Sequence, residues 1–404
     1  MSQKFDVCIR GGGIVGRTLA LLLAQQRLRV ALCTAHSSAP GAQDPSASGH
    51  SDIRAYALNA ASRTLLESVR GWPDAPAVAG QEPPVTAVVR MEVHGDQGGT
   101  LSFDAPTGDH PPLNWMVDVP ALEARLADAL RFQSLVETFH ENDAPASALS
   151  VICEGKRSRT RDDHGLTYVV QPYPHHAVAA RLRLAKPHQG CARQWFQNGE
   201  ILALLPLGGV AGDTAALVWS VPADKAQHLK ALAPADFLAS LAQSLPPETL
   251  CTGADTLTQA PQSWPLELSQ AERWVAPGVA LAGDAAHAMH PLAGQGLNMG
   301  LGDVRELALV LQQREYWRSL GDTRLLRRYE RARKAEFAAM GGLTDGLFVL
   351  FNQDQPLVQS LRNWGMNGVN RLNPLKHWLA RQAQGTPSTP STPPTPSSPG
   401  RPAH

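Results

Sequence analysis

An α/β fold is what this sequence predicts, and three stretches predict it. "FDVCIRGGGIVGRTLALLLAQQRLRVALC" sets a short apolar strand, a glycine-rich turn, an apolar helix and a second strand in that order, a Rossmann-like βαβ unit. Between about residues 165 and 222 the pattern changes to short β-rich stretches, "LTYVV", "EILALLPL" and "AALVWSV", which read as a sheet inserted into the α/β domain. "GVALAGDA" (278–285) then returns to a buried strand ending in an acid, and from about 299 to 380 the chain reads mostly helical.

Each element has a local reason. "DVCI" is short and unbroken, as a strand covered on both faces is, and "RVALC" (29–33) repeats that pattern. Residues 14–27 carry apolar side chains on several faces, as a helix packed on a sheet does. "PALEARLADAL" (120–130) repeats leucine at 122, 126 and 130, one helical stripe, and opens with Pro120 in the tolerated first turn. A further helix is expected over 298–312. The last twenty residues, "GTPSTPSTPPTPSSPGRPAH", have nothing to bury and read as a disordered tail.

Composition excludes several classes. Lys+Arg and Asp+Glu both number 36, so there is no basic surplus to argue for nucleic acid. With a strand expected from Phe5, no signal peptide is expected, and no run approaches the roughly 18 apolar residues of a membrane span. Five cysteines are scattered without a CxxC pair, which points to a reduced, cytosolic protein without structural zinc.

The chemistry lies in two glycine-rich stretches. Gly11, Gly13 and Gly16 form GxGxxG straight after a strand and opening a helix. The first glycine makes the tight turn, the second lets a pyrophosphate approach the backbone, and the third allows close helix packing. The acid usual about 20 residues on, gripping a ribose hydroxyl, is here Thr34, which can hydrogen-bond without a carboxylate's strength. The second stretch, "GDAAHAMHPLAGQGLNMGLGD" (283–303), brings Asp284 to a strand end in the same crevice. Its Gly294-Gln295-Gly296 then offers bare backbone N–H groups at a helix start, where negative charge is favoured, as on the edge of a reduced flavin.

This second stretch resembles the third signature of the class A FAD-dependent aromatic monooxygenases, in their ubiquinone-biosynthesis hydroxylase branch. "DIRAYALNAASRTLLESVRGW" (52–72) is similar to that branch's second block, and "YERARKAEFAAMGGLTDGLFVLF" (329–351) and "LRNWGMNGVNRLNPLK" (361–376) to its C-terminal helices. The similarity runs from about residue 4 to 384. It implies an FAD-binding domain from 1–70, 117–165 and 275–315 and a substrate domain from 71–116 and 166–274. C-terminal helices over 316–384 and a tail over 385–404 complete the chain.

The resemblance also implies residue roles. Arg54 contacts the FAD, Asp284 holds its ribitol chain, Pro291 faces the flavin ring, and Gly296, Leu297 and Asn298 present donors to its N1/O2 edge. NAD(P)H reduces the FAD, O2 adds to it, and a hydroxyl passes to an electron-rich ring, so no catalytic dyad is required. An apolar cleft between "LALLPL" (202–207), Trp219 and Pro291–Leu292 is expected to admit that ring.

Four positions depart from the family pattern. Thr34 replaces the acid, Arg10 precedes the glycines, Pro120 stands where an arginine is common, and "CEGKRSRTR" (153–161) carries Glu154 for aspartate. The segment between Leu130 and Glu154 is also short, so a strand hairpin that covers the FAD domain is expected to be missing.

Other features have plain readings. His287 and His290 are three apart but lack a third metal ligand nearby. His175-His176 reads as a surface pair, "RLLRRYERARK" (324–334) as a solvated helix face, and Phe348 to Trp364 as core packing or a bilayer- or partner-facing surface. The expected activity is hydroxylation of a polyprenylated phenol or quinol with FAD, NAD(P)H and O2. The protein is expected in the cytoplasm with peripheral contact at the inner membrane face and with other ubiquinone-biosynthesis proteins. Two alternatives stand beside it: a hydroxylase of another aromatic compound, and a non-catalytic scaffold of the biosynthetic complex.

Overall fold

The computed structural model describes residues 4–35, 53–73, 82–95, 98–106, 110–247, 249–250, 256–289 and 296–351, with side chains as far as residue 340. The chain opens with β1 (Phe5–Arg10), α1 (Ile14–Gln25) and β2 (Val30–Thr34), the expected βαβ unit. After β3 (Ala55–Leu58) and α2 (Ala60–Ser68) come β4 (Val85–Val88), β5 (Arg90–His94), β6 (Thr100–Asp104) and β7 (Asn114–Asp118). Helix α3 (Val119–Arg131) begins with Pro120 in its first turn, where a missing N–H costs nothing. It leads to β8 (Val136–His140) and β9 (Ser147–Ile152). Only a 3-10 turn at Glu141–Asp143 separates these two strands, so the expected hairpin is indeed missing.

The middle of the chain is larger than its sequence patterning suggests. After the short α4 (Arg159–Asp163) come β10 (Tyr168–Arg183), β11 (Cys191–Gln197), β12 (Glu200–Leu207) and β13 (Thr214–Pro222). Helices α5 (Ala223–Ala231) and α6 (Pro234–Ala242) precede β14 (Leu257–Ala271). Pro172, Pro174, Pro261 and Pro265 interrupt the period-2 pattern of β10 and β14, which hid the length of both strands. The chain closes with β15 (Val275–Ala276), β16 (Val279–Leu281), β17 (His287–Ala288), α7 (Gly296–Gln312) and α8 (Thr323–Phe351).

These strands form three sheets. The first has the order β15-β16-β9-β1-β2-β8 and is parallel except for the β15–β16 hairpin. Helix α1 packs against α3 and α7, and Val7, Ile9, Leu19, Leu23, Leu281 and Leu307 meet in its core. The second sheet, β17-β14-β10-β13-β12-β11-β5-β6, has eight strands and takes β5 and β6 from the segment before α3. Helices α5 and α6 cover one of its faces, burying Trp219, Leu217, Phe237 and Leu241. A small antiparallel sheet, β3-β7-β4, lies between the two, with Ala57 and Met116 packed on Ala216 and Leu207.

Segment 283–288 connects the large sheets. It leaves the parallel sheet at the end of β16 and pairs as β17 with β14, Ser269 opposite Ala288. No described helix is long and apolar enough to cross a membrane. Residues 352–404, with the expected tail and most of the apolar stretch ending at Trp364, lie outside the described residues.

Phe237 is fully buried between α6 and the sheet. Phe237→Ala is expected to lower stability by about 3–5 kcal/mol in urea unfolding, because the cavity it leaves cannot collapse against a paired sheet.

Candidate functional site

A cavity of about 1330 Å³ lies between the C-terminal edge of the parallel sheet and the face of the eight-stranded sheet opposite α5 and α6. Single small-ligand sites run to about 300–1,000 Å³, so it has room for a large cofactor and a second molecule. One wall is polar, with Gly13, Arg54, Lys156, Asp284 and Gly296; the other, on the eight-stranded sheet, is mainly apolar, with Ala179, Val218, Trp264 and Leu266.

The three N-terminal glycines do different work. Gly11 has φ +117°, and a Cβ there would lie 2.4 Å from the Cys153 carbonyl oxygen. A Cβ on Gly16 would lie 2.0 Å from the Gly11 carbonyl oxygen, so the helix reaches the turn only without a side chain. Around Gly13 nothing stands within 4 Å. That glycine is the N-cap of α1 and has no side chain to bond the first N–H groups of the helix, at a helix start that lines the cavity and suits an anion.

Asp284 is exposed to the cavity, and the protein packed around it thins the surrounding water. That loss of water raises its pKa, against the pull of Lys156, His287 and Arg54. Arg54 is exposed on the rim, its Nη1 donating to the Tyr56 hydroxyl at 3.3 Å. Gly296 and Leu297, at the start of α7, also line the cavity. An uncapped helix start, a guanidinium and a carboxylate facing one long cleft fit the phosphates and polyol of a dinucleotide.

Beneath Asp284 sits a polar cluster that sequence reading missed. Asp303 is fully buried; its Oδ2 accepts from the Gly283 N–H at 2.8 Å and from His287 Nε2 at 2.7 Å, and its Oδ1 accepts from Arg333 Nε at 2.7 Å. Burial pushes this carboxyl up, but His287 and Arg333 outweigh it and hold its pKa below the ordinary carboxylate range. Arg333 also donates to the Met299 carbonyl at 3.0 Å and pairs with Glu336. Its guanidinium would lie 2.7 Å from a Cβ on Gly302, so the glycine makes room for it. His287 is thus neither exposed nor beside the cleft: it is stacked on Trp274 at 4.7 Å.

Several expected residues stand elsewhere. Glu154 does not face the cleft freely. Its Oε2 accepts from Ser158 Oγ at 2.6 Å, and its Oε1 from Thr160 Oγ1 at 2.8 Å and Arg10 Nε at 3.1 Å. Burial raises its pKa, but these bonds prevail and lower it. Arg10 also donates to the Glu141 carbonyl at 3.2 Å, so two departures from the family pattern bond to one another where the hairpin is missing. Thr34 ends β2 with its methyl group against Gly12.

The Asn298 side chain is engaged within the protein. Its Nδ2 donates to the Ala57 carbonyl at 2.7 Å, and its Oδ1 accepts from Asn59 N–H and Ser62 Oγ. Trp219 is a correction: alternation along β13 turns residues 215, 217, 219 and 221 toward α5 and α6, and its indole donates to Glu200 at 3.0 Å. The 202–207 stretch likewise lies outside the cavity wall, with Leu202 and Leu204 under those helices and Leu205 and Leu207 on the small sheet. His175 is buried rather than a surface residue, with Nε2 on the Gly199 carbonyl. His290, Pro291, Leu292 and Gly294 lie outside the described residues.

The comparisons agree with this geometry. Residues 140–341 match the FAD binding domain family. The chain is 31% identical to the ubiquinone hydroxylase UbiL of Rhodospirillum rubrum, over 94% of this chain and 90% of that one. It is 28% identical to the 3-demethoxyubiquinol 3-hydroxylase of Escherichia coli, over 95% and 99%. The crystal structure of Pseudomonas aeruginosa PqsL with 2-aminobenzoylacetate shares the fold, with TM-score 0.69 and 22% identity over 86% of this chain and 97% of that one.

Fold and site therefore define an FAD-dependent aromatic ring hydroxylase. The chain belongs to the ubiquinone-biosynthesis hydroxylase branch of the class A FAD-dependent monooxygenases.

Two outcomes are expected. Asp303→Asn is expected to lose about 3–5 kcal/mol near neutral pH, since it strands a buried Arg333. A lowered folded-state pKa gives stability above the unfolded value that disappears as pH falls through the folded one. The gap between wild type and variant in urea unfolding should therefore narrow below about pH 4. For the second pair, Arg10→Leu and Glu154→Gln should each destabilise the protein, while the double variant loses less than their sum by on the order of 1 kcal/mol in a double-mutant cycle.

Proposed function

We propose that this protein hydroxylates the aromatic ring of a polyprenylated ubiquinone precursor, using NAD(P)H and O2. The observation that carries the reading is a single cleft with a dinucleotide-fitting polar wall facing a mainly apolar one. FAD, when bound, supplies electron transfer from NAD(P)H and activation of O2. The protein's own part is placement and dryness. The start of α1 at Gly13 and the backbone at Gly296–Asn298 bind the cofactor's charged edges, and Asp284 orients its polyol. Ala179, Val218, Trp264 and Leu266 exclude water from the reacting ring.

Pro291, Leu292 and Gly294 complete the ring-facing side in this reading, and Arg54 closes the cofactor's rim. The FAD-binding domain comprises 1–70, 117–165 and 275–315, and the substrate domain 71–116 and 166–274. A prenylated substrate also implies peripheral contact at the inner face of the membrane, and work beside other ubiquinone-biosynthesis proteins.

Protein purified with FAD is expected to be yellow, to bleach anaerobically with NAD(P)H, and to return a hydroxylated ring from a short-chain prenylated phenol. A yellow protein that hydroxylates only unprenylated aromatics would transfer the reading to a soluble substrate. A colourless protein that refuses FAD would leave the scaffold role.

A further inference from the structure

The roof of the cleft contains a feature that the hydroxylase reading does not use. Strands β10 and β14 lose register between Ala179, opposite Gln262, and Arg181, opposite Gln259. Three steps along β14 therefore face two along β10, and the extra residue falls at Ala260–Pro261. A bulge of this kind re-aims side chains, and such bulges gather beside active sites. Without it, Gln262 would lie on the opposite face from Gln259. Counted along β10, Gln262 lies just before the bulge in register with Trp264, shares the face of Ala179 and, across β10, of Val218, and lines the cavity with both.

Polar groups farther along the cavity wall are engaged. The Tyr168 hydroxyl donates to the Asp284 carbonyl at 2.9 Å, Glu267 pairs with Lys156 at 3.2 Å, and Arg161 is held by Asp162 and the Lys156 carbonyl. The Gln262 carboxamide makes no hydrogen bond among the described residues. It is therefore an uncommitted donor and acceptor on the same sheet face as the apolar Ala179, Val218 and Trp264.

We propose that Gln262 is a specificity-determining residue of the substrate cleft, its carboxamide hydrogen-bonding an oxygen substituent of the aromatic ring while the apolar roof takes the ring's face and tail. This rests on the hydroxylase reading for the class of substrate. A neutral amide suits a ring whose oxygen is a phenol, an ether or a quinone carbonyl, because it can accept from the first and donate to the others. A purely apolar molecule would leave the amide dehydrated and unpaired, so the residue also selects against tail-only lipids.

The test compares wild-type holoenzyme with Gln262→Leu and the near-isosteric Gln262→Met, using two probes with the same short prenyl tail. One is a prenylated hydroquinone, the other the corresponding prenyl alcohol, which has no ring. Dissociation constants come from the change in flavin absorption on titration, and FAD content and thermal midpoint report folding. Both variants are expected to bind the hydroquinone about tenfold more weakly, the value of one neutral hydrogen bond. Both should bind the alcohol as well as wild type or better, with FAD content unchanged. Unaltered hydroquinone binding, or equal weakening of both probes, overturns the proposal. Wild type that binds the hydroquinone through Gln262 but never hydroxylates it overturns the hydroxylase reading instead.

Discussion

The structure depends on one buried carboxylate. Asp303 sits on α7 with no exposure to solvent and accepts from Gly283, His287 and Arg333. A charge so placed persists only when its lone pairs are filled, and here two donors come from the two ends of the 283–288 connector and the third from α8. The Gly283 N–H fixes the end of the parallel sheet, His287 fixes the segment that joins the eight-stranded sheet, and Arg333 fixes α8. The position of Asp284, one residue beyond Gly283, follows from those bonds. A cleft-facing carboxylate is thus positioned by a cluster that does not itself face the cleft.

Close approach is the second constraint. Gly11 and Gly16 are jammed against backbone, while Gly13 between them stands in open space. Two of the three glycines therefore serve packing, and the middle one leaves room for a ligand. The same contrast recurs across the cleft, where Gly300 lies against Val15 and Gly296 meets nothing within 4 Å. Sheet, turn and helix are pressed together at one layer so that the next is free.

How much of this was legible follows from the reach of each signal. The βαβ unit, the 120–130 helix and the acid at 284 are written in local periodicity and spacing, and they stand where expected. Trp219 is expected at the cleft only by analogy with the family, not from its own strand. The period of the strand, which buries 215, 217, 219 and 221 together, gave the opposite face and was the better guide. Arg333 was hidden in an arginine-rich run. Yet Arg324, Arg327, Arg328 and Arg331 share one exposed stripe, while Leu326, Tyr329, Arg333 and Phe337 share the buried one, a separation that helical spacing could have revealed. The Arg10–Glu154 pair and the β14 bulge could not be read locally, since each depends on strands brought together from distant sequence.

The central claim is that Gly11–Gly16 and the Asp284–Asn298 stretch enclose a single FAD molecule between the two large sheets. A crystal structure of the protein grown with FAD tests it most directly. The account predicts the pyrophosphate at the start of α1 beside Gly13, the ribityl chain at Asp284, and the isoalloxazine edge at the start of α7 beneath the Ala179–Val218 roof. FAD bound at another surface, or a cleft that stays closed to it at saturating concentration, would contradict the account.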